Sequence, residues 1–418
     1  FAFASEIKAI LKYKDIKPIE PNIDYLNIYL EEGPKEYLKE TAFSDIFRFD
    51  FNSYVIAKKK DLLKGNLKFK EYWSVKPNLS NESFNEKKLH KYAKEYYELL
   101  KDSVKLRLRA DVKVGSALSG GIDSSSIVSL INEVHNEEGK LESQETFSSV
   151  YKSKGTTDCD ESLYIDELAK YLNVKSNQIE PKAEDIPTEH ENMIYHMENP
   201  PSGTCMSGWH TFKLVKSTDI TVTLDGQGAD EQLAGYEGYI TNYIANIGLL
   251  DAFKSYKKIE NPEHKRRAKK GIVVNLLSKI LGKKNSIKLL SRKFPDIEKY
   301  VIPLNQKLSQ DMIENLIILI HYSDRVSMGH SIESRMPFMD YRLIEFLANV
   351  PASYKFHENW SKYLSRVAMD KKLPQNILWR KDKMGWPIPE KFWFENIKKK
   401  WIRDKITNSE FLETEFKS

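Results

Sequence analysis

Asp123 carries the most pointed chemistry in the chain, because it stands inside a run suited to holding an anion: Ser116-Ala117-Leu118-Ser119-Gly120-Gly121-Ile122-Asp123-Ser124-Ser125-Ser126. Gly120 and Gly121 allow a tight turn that brings amide N–H groups close to a ligand. Ser124, Ser125 and Ser126 open a helix running on through Ile127-Val128-Ser129-Leu130-Ile131. The free N–H groups and positive dipole end of such a helix favour phosphate oxygens. A carboxylate in that nest repels phosphate unless a divalent cation lies between them, so Asp123 implies Mg²⁺. Upstream, Val112, Val114, Ala117 and Leu118 form a short apolar run that predicts a buried parallel strand. The loop is neither GxxxxGK[ST], in which a lysine reaches the outer phosphates, nor GxGxxG.

A second loop has the same layout. Asp219 to Leu224 predicts another buried strand, and it leads into Asp225-Gly226-Gln227-Gly228-Ala229-Asp230-Glu231 and then Gly235-Tyr236. Glycine turns at the carboxyl ends of two parallel strands are where an open sheet places its ligands. The first run resembles the SGGxDS loop of the N-type ATP pyrophosphatases, which include asparagine synthetases, β-lactam synthetases, NAD synthetase and GMP synthetase. The second is similar to the [SD]G[EQ]G[SA]DE loop of the asparagine synthetase family. The resemblance implies that ATP is split between its α and β phosphates. It assigns Leu118, Ser119, Gly120, Gly121, Asp123, Ser124, Ser125 and Ser149 to ATP and pyrophosphate. It sets Asp225 and Gly226 beside the ribose and α-phosphate, and makes Asp230 a second Mg²⁺ ligand beside Asp123.

The likeness extends to the C-terminal part. Tyr322 to Met328 followed by Ile332 to Asp340 resembles the family's helical segment R-x-x-M…E-x-R-x-P-F-x-D, and Trp360 to Arg366 its K-x-x-L-R segment. Trp379-Arg380-Lys381-Asp382-Lys383-Met384-Gly385-Trp386 is similar to its W-R-x-K-x-G stretch. Lys362 matches the lysine that faces the α-phosphate and the attacking amine, where it stabilises developing charge. Gln227 stands with it in the catalytic set; an amide is no general base at neutral pH, but it donates and accepts hydrogen bonds. Arg325 and Glu333 are carried as substrate-binding or supporting residues, and Glu333, Arg335 and Asp340 read as buried helix and turn charges that pair to hold the fold. Glu198, before Asn199-Pro200-Pro201-Ser202-Gly203, either lines the acyl-substrate pocket or is a plain surface carboxylate.

Phe1-Ala2-Phe3-Ala4-Ser5-Glu6-Ile7-Lys8-Ala9-Ile10 resembles the F-A-S-E-I-K-A-L that closes the family's glutaminase domain. Its nucleophile there is an N-terminal cysteine, whereas Cys159 and Cys205 are internal. The expectation is a chain lacking most of its glutaminase, using free ammonia or another amine as it stands. Residues 1–80 would be the glutaminase remnant and linker, and 81–418 the ATP-dependent synthetase domain.

The elements that must position these loops follow from periodicity. Apolar residues from Phe84 to Leu106 fall at helical spacing, Thr146 to Tyr151 reads as a strand, Glu161 to Leu172 as a helix, and Asn173 to Ile179 as a third strand. After Tyr236 the pattern is helical almost to the end. The predicted class is α/β: a parallel sheet flanked by helices, a mostly helical C-terminal part, and a remnant of an Ntn-type glutaminase domain in front.

Composition fits a large enzyme of two or three domains: 418 residues, 40% hydrophobic. A net charge of +5 with mixed signs gives no argument for nucleic acid, and the basic stretch Lys257 to Lys293 reads as a solvated helical insertion. Two cysteines without CxxC spacing suit a reducing, cytoplasmic setting, and His190 and His196 lack HExxH spacing. No apolar run approaches membrane-spanning length. Three functions remain: amidation of L-aspartate with ammonia drawn from glutamine; the same chemistry on a sugar, peptide or cell-wall carboxylate; and a non-catalytic ATP-binding scaffold. The resemblance leaves room for a homodimer.

Overall fold

The computed structural model describes residues 1–13, 19–65, 67–140, 143–200, 205–292, 294–381 and 388–415. Five parallel strands form its sheet: β1 (Val114–Ala117), β2 (Glu145–Ser149), β3 (Lys175–Ile179), β4 (Val222–Leu224) and β5 (Glu333–Arg335). Their order across the sheet is β3-β2-β1-β4-β5. The order reverses between β1 and β4, and a crevice at the carboxyl ends of strands at such a reversal is the place where open α/β sheets bind ligands.

Among the described residues, helices that cover the sheet or position its loops are α1 (Glu86–Arg107), α2 (Ile122–Glu137), α3 (Ser162–Leu172), α4 (Cys205–Lys216), α5 (Ala229–Leu233), α6 (Leu316–Met328) and α7 (Tyr363–Ala368). Each sheet face is covered, as an all-parallel sheet requires. One apolar cluster joins Tyr96, Leu100 and Val104 of α1 to Ile127, Leu130, Ile131 and Val134 of α2 and Leu168 of α3. The other joins Phe147 of β2 to Met206, Trp209 and Phe212 of α4 and Tyr322 and Val326 of α6. Each fully buried large apolar side chain contributes about 1.5–3 kcal/mol, so the two clusters clamp the sheet firmly between them.

The expected strands at Thr146–Tyr151, Asn173–Ile179 and Asp219–Leu224 all form, with each end within three residues of the expected one. The expected helical reading of the Glu333 segment is corrected: Glu333–Arg335 is the edge strand β5, in register with Val222–Leu224 of β4. Three residues with charged ends show no apolar alternation, and pairing with β4 decides their conformation.

The stretch expected to be an insertion lies in a helical region built from Tyr239–Asn246, Leu249–Lys258, Pro262–Leu281 and Lys283–Leu290, with two small apolar clusters, one of which also takes in Leu304, Leu308 and Phe356. Several of its basic groups are engaged internally: Arg266 and Arg267 pair with Glu263, and Lys270 lies 3.9 Å from the Tyr300 ring centroid. In residues 1–80 the described elements are helices Ile7–Leu11, Ile23–Glu32 and Lys59–Leu63, and a short antiparallel ladder of Ser53–Tyr54 on Lys70–Glu71. Asn78 stitches this region down: its backbone amide donates to Ala348 O (2.9 Å) and its carbonyl accepts from Asn305 Nδ2 (2.8 Å). Among the described residues no helix is long and apolar enough to cross a membrane.

Candidate active site

The loop after β1 is stapled by its own serines. The Ser119 amide donates to Ser124 Oγ at 3.1 Å, and Ser124 Oγ reaches Gly121 O at 3.3 Å. Gly120 turns the chain in the left-handed region, at φ 70°. Helix α2 therefore starts with Asp123 in its first turn, nine-tenths buried.

The loop after β4 comes against it. The Asp225 amide donates to Arg335 O of β5 at 2.8 Å, and its carboxylate accepts from Ser334 Oγ. Burial pushes the Asp225 carboxyl up to about 6, against that hydrogen bond. Gly226 is where the loops touch: a Cβ there would stand 2.9 Å from the Ser124 amide nitrogen. The chain then enters α5, which carries Asp230.

Lys362, immediately before α7, joins the two loops. Its backbone is left-handed (φ 55°) and its amide donates to Leu233 O at 3.0 Å, which turns the side chain inward. Nζ lies 2.5 Å from Asp123 Oδ2 and 2.7 Å from Asp230 Oδ1, with the lysine only 1% exposed. Gly235 makes this fit, since a Cβ there would overlap Asp230 Oδ1 and Lys362 Cε. Beside the trio, burial first and then the Asp230 charge push Glu231 up to about 7, opposed by a 2.6 Å hydrogen bond from the Tyr236 hydroxyl.

Two cavities meet here. One, of about 310 Å³, is lined by Leu118, Ser119, Asp123 and Ser124, by Asp225, Gly226, Gln227 and Asp230, by Cys205 and Gly208 of α4, and by Leu319, Tyr322, Ser323 and Val326 of α6. The other, of about 500 Å³, opens past Gly121, Ile122 and Lys362 toward the insertion and the C-terminal segment. Tyr236 and the Asp123–Lys362 contact lie between them.

Fit to Mg²⁺ is decided by the donor set. Among the described residues no group of three or more His, Cys, Asp and Glu side chains could hold a metal by itself. Two carboxylates nonetheless converge on one point, where the Lys362 ammonium supplies the positive charge. Mg²⁺ is commonly held by one or two carboxylates plus substrate phosphates and water, so the pair fits it provided phosphates complete its shell.

Other expected site residues lie elsewhere. Ser149 turns its hydroxyl onto α4, to Ser207 O (3.0 Å) and Thr211 Oγ1 (2.9 Å). Ser125 is fully buried within α2 and lines neither cavity. Glu198 lines neither cavity either: it accepts from the Ile7 and Lys8 amides at 2.9 and 2.7 Å and pairs with Lys8 Nζ. Arg325 belongs to the same anchor, with Nη2 on Ser5 O at 2.7 Å and Nη1 on Glu6 at 3.2 Å. Together they seat the first helix, which for Arg325 is the supporting role among those expected of it. Glu333 is exposed and pairs with Arg335 at 2.7 Å, so its expected burial is corrected too. Arg335 and Asp340 do support the fold, through Arg107 O (2.7 Å) and the Arg342 amide (3.0 Å). Pro201 to Gly203 and Asp382 to Trp386 lie outside the described residues.

Sequence reasoning passed over Arg380 and Glu161 as partners. They form a buried pair at 2.7 Å, with Arg380 stacked 3.8 Å from the Tyr164 ring centroid and reaching Gly120 O at 3.4 Å. The Trp-Arg dipeptide in the C-terminal motif was the available signal; its distant partner was not.

The family model described as asparagine synthase matches residues 95–416. Asparagine synthetase [glutamine-hydrolyzing] 1 of Bacillus subtilis is 26% identical over 381 residues, covering 83% of this chain and 56% of that protein. Asparagine synthetase [glutamine-hydrolyzing] 3 of the same organism is also 26% identical, covering 91% and 60%. Amidase chyE of Penicillium rubens is 25% identical, covering 78% and 56%. The chain thus spans a little over half the length of these relatives. With the family model covering the sheet from β1 to β5, both glycine loops and Lys362, the chain belongs to the asparagine synthase family.

Proposed function

We propose that the chain is an ATP-dependent, amide-forming ligase that activates the side-chain carboxylate of L-aspartate and delivers the acyl group to ammonia. Ammonia is drawn from glutamine where a complete glutaminase domain is present. The observation that carries the reading is the Lys362 ammonium held between Asp123 and Asp230 at the point where the two glycine loops meet.

In this reading ATP is a substrate whose nucleoside occupies the 310 Å³ cavity. A carboxylate oxygen attacks the α-phosphorus, the α–β phosphoanhydride bond breaks, and pyrophosphate leaves onto the Ser119 to Ser124 turn. Ammonia then attacks the activated carbonyl, forming the C–N bond and releasing AMP. Asp123 and Asp230 would hold Mg²⁺, which supplies charge neutralisation on the phosphates. Lys362 steadies charge on the α-phosphate, and Gln227 orients the acyl group by hydrogen bonds. Positioning and electrostatics do most of the work in phosphoryl transfer, so no protein nucleophile is needed. Residues 1–80 are proposed as the end of the glutaminase unit with its linker, and 81–418 as the catalytic unit.

A second reading, amidation of a different carboxylate, is favoured by the amidase among the relatives. The test is pyrophosphate release from ATP with Mg²⁺ and ammonium, comparing L-aspartate with a panel of carboxylates and with none. Aspartate-dependent pyrophosphate matched by asparagine supports the first reading. Another responsive acid selects the second, and ATP binding without turnover would point to a scaffold.

A further inference from the structure

We propose that the 500 Å³ cavity is an outer station for pyrophosphate, which leaves the site through it rather than back past the nucleotide; this rests on the function proposed above. In-line displacement puts the attacking and departing oxygens on opposite sides of the α-phosphorus. The departing side is the Ser119 to Ser124 turn, and the cavity begins on that turn, at Gly121 and Ile122, with Lys362 in its wall. Among the described residues the two cavities share Tyr236, and the turn is divided between them, with Ser119, Asp123 and Ser124 lining the nucleotide cavity and Gly121 and Ile122 the outer one.

The charges of the outer cavity are of two kinds. Arg366 and Arg380 are fixed. Arg366 is buried and donates to the carbonyls of Ser361 (2.9 Å), Leu378 and Arg380, and Arg380 is buried against Glu161. Lys258 and Lys381 are exchangeable. Lys258 pairs with Glu358 and Lys381 with Glu260 at 3.6 Å, and all four side chains are half exposed or more. Exposed pairs of this kind contribute about 0–1 kcal/mol, so a multivalent anion can displace the glutamates at small cost. The remaining described acid of the wall, Glu237, lies 3.2 Å from His264 Nε2 and 4.0 Å from Arg267 Nε. Each rim pair links the insertion, through Lys258 or Glu260, to the C-terminal segment, through Glu358 or Lys381. Pyrophosphate arriving between them would meet both lysines.

The experiment measures inhibition by, and calorimetric binding of, Mg·pyrophosphate to the full chain, for the wild type, Lys258→Ala, Lys381→Ala and the double variant. AMP inhibition serves as the control for the other cavity. The expected result is a pyrophosphate constant weakened roughly 2- to 5-fold by each single change. The double variant should be weakened further, AMP inhibition should be unchanged, and the differences should collapse at high salt. Glu260→Gln should tighten pyrophosphate. Unchanged pyrophosphate constants, or pyrophosphate and AMP constants moving together, would overturn the proposal. Failure of the function itself shows separately, as no pyrophosphate formed from ATP with any carboxylate.

Discussion

Lys362→Met removes the ammonium between Asp123 and Asp230 and leaves two mostly buried carboxylates facing one another (side chains 11% and 15% exposed). Stripping one partner from a buried ion pair costs about 3–5 kcal/mol, so the variant should be destabilised by that order in the absence of divalent cations. It should also gain what the wild type lacks: affinity for Mg²⁺ without nucleotide, because the lysine no longer fills the position between the carboxylates. At a Mg²⁺ concentration of about 100 times Kd, binding to the folded state alone adds about 2.7 kcal/mol. For a chain of this length that is a rise in Tm on the order of 3 °C. The assay is thermal unfolding with and without Mg²⁺, nucleotide absent, backed by titration with Mn²⁺ followed by electron paramagnetic resonance. The wild type should show little change and the variant a clear rise. Equal shifts in both proteins, or none in the variant, would refute the idea that lysine and metal share one position. In turnover, Lys362→Ala should cost roughly two to three powers of ten, the range for losing one preorganised charge contact.

Gly235→Ala forces Asp230 and Lys362 apart, and a misplacement of about 1 Å can cost roughly 100-fold, so pyrophosphate release should fall by that order while far-ultraviolet circular dichroism is preserved. Asp340 is pushed up by burial but held down more strongly by hydrogen bonds from Arg342 and Arg107, to about 2 against an ordinary 3.8. Its folded value is depressed, so it contributes about 2 kcal/mol that is present above about pH 4 and lost as the pH falls through about 2. Asp340→Asn should therefore be less stable by that order in neutral urea melts, and the difference should vanish in acid. Glu198→Gln weakens the seat of Ile7 and Lys8 by about 1–3 kcal/mol, and cleavage of the first thirteen residues by trypsin should quicken several-fold. A raised KM for the carboxylate in that variant would instead support an acyl-pocket role for Glu198.

What was legible in the sequence was what is local. The glycine turn, the serines and Asp123 lie within eleven residues, and the physics of a phosphate nest is written in that order of residue types. The same holds for β4 and the turn after it. Lys362 was legible only through its family resemblance, since nothing near it in the chain announces that it will lie between Asp123, 239 residues away, and Asp230. The contacts of Glu198 and Arg325 were not legible for a related reason: their partners Ile7, Lys8, Ser5 and Glu6 are separated from them by about two hundred to over three hundred residues. A carboxylate and a guanidinium near a Pro/Gly segment or in a motif helix look the same whether they meet substrate or backbone. β5 escaped because Glu-Ser-Arg is strand only by virtue of β4 beside it. Arg380 and Glu161 escaped because a buried ion pair joining two motifs has no periodicity of its own.

The most direct test of the central claim is isotope transfer. The protein is incubated with ATP, Mg²⁺, ammonium and L-aspartate, or whichever carboxylate drives pyrophosphate release, labelled with ¹⁸O in the reacting carboxyl group. Attack of that carboxylate on the α-phosphorus predicts one ¹⁸O in the AMP for each amide formed. Label found only in inorganic phosphate, or amide formed with unlabelled AMP, would contradict it.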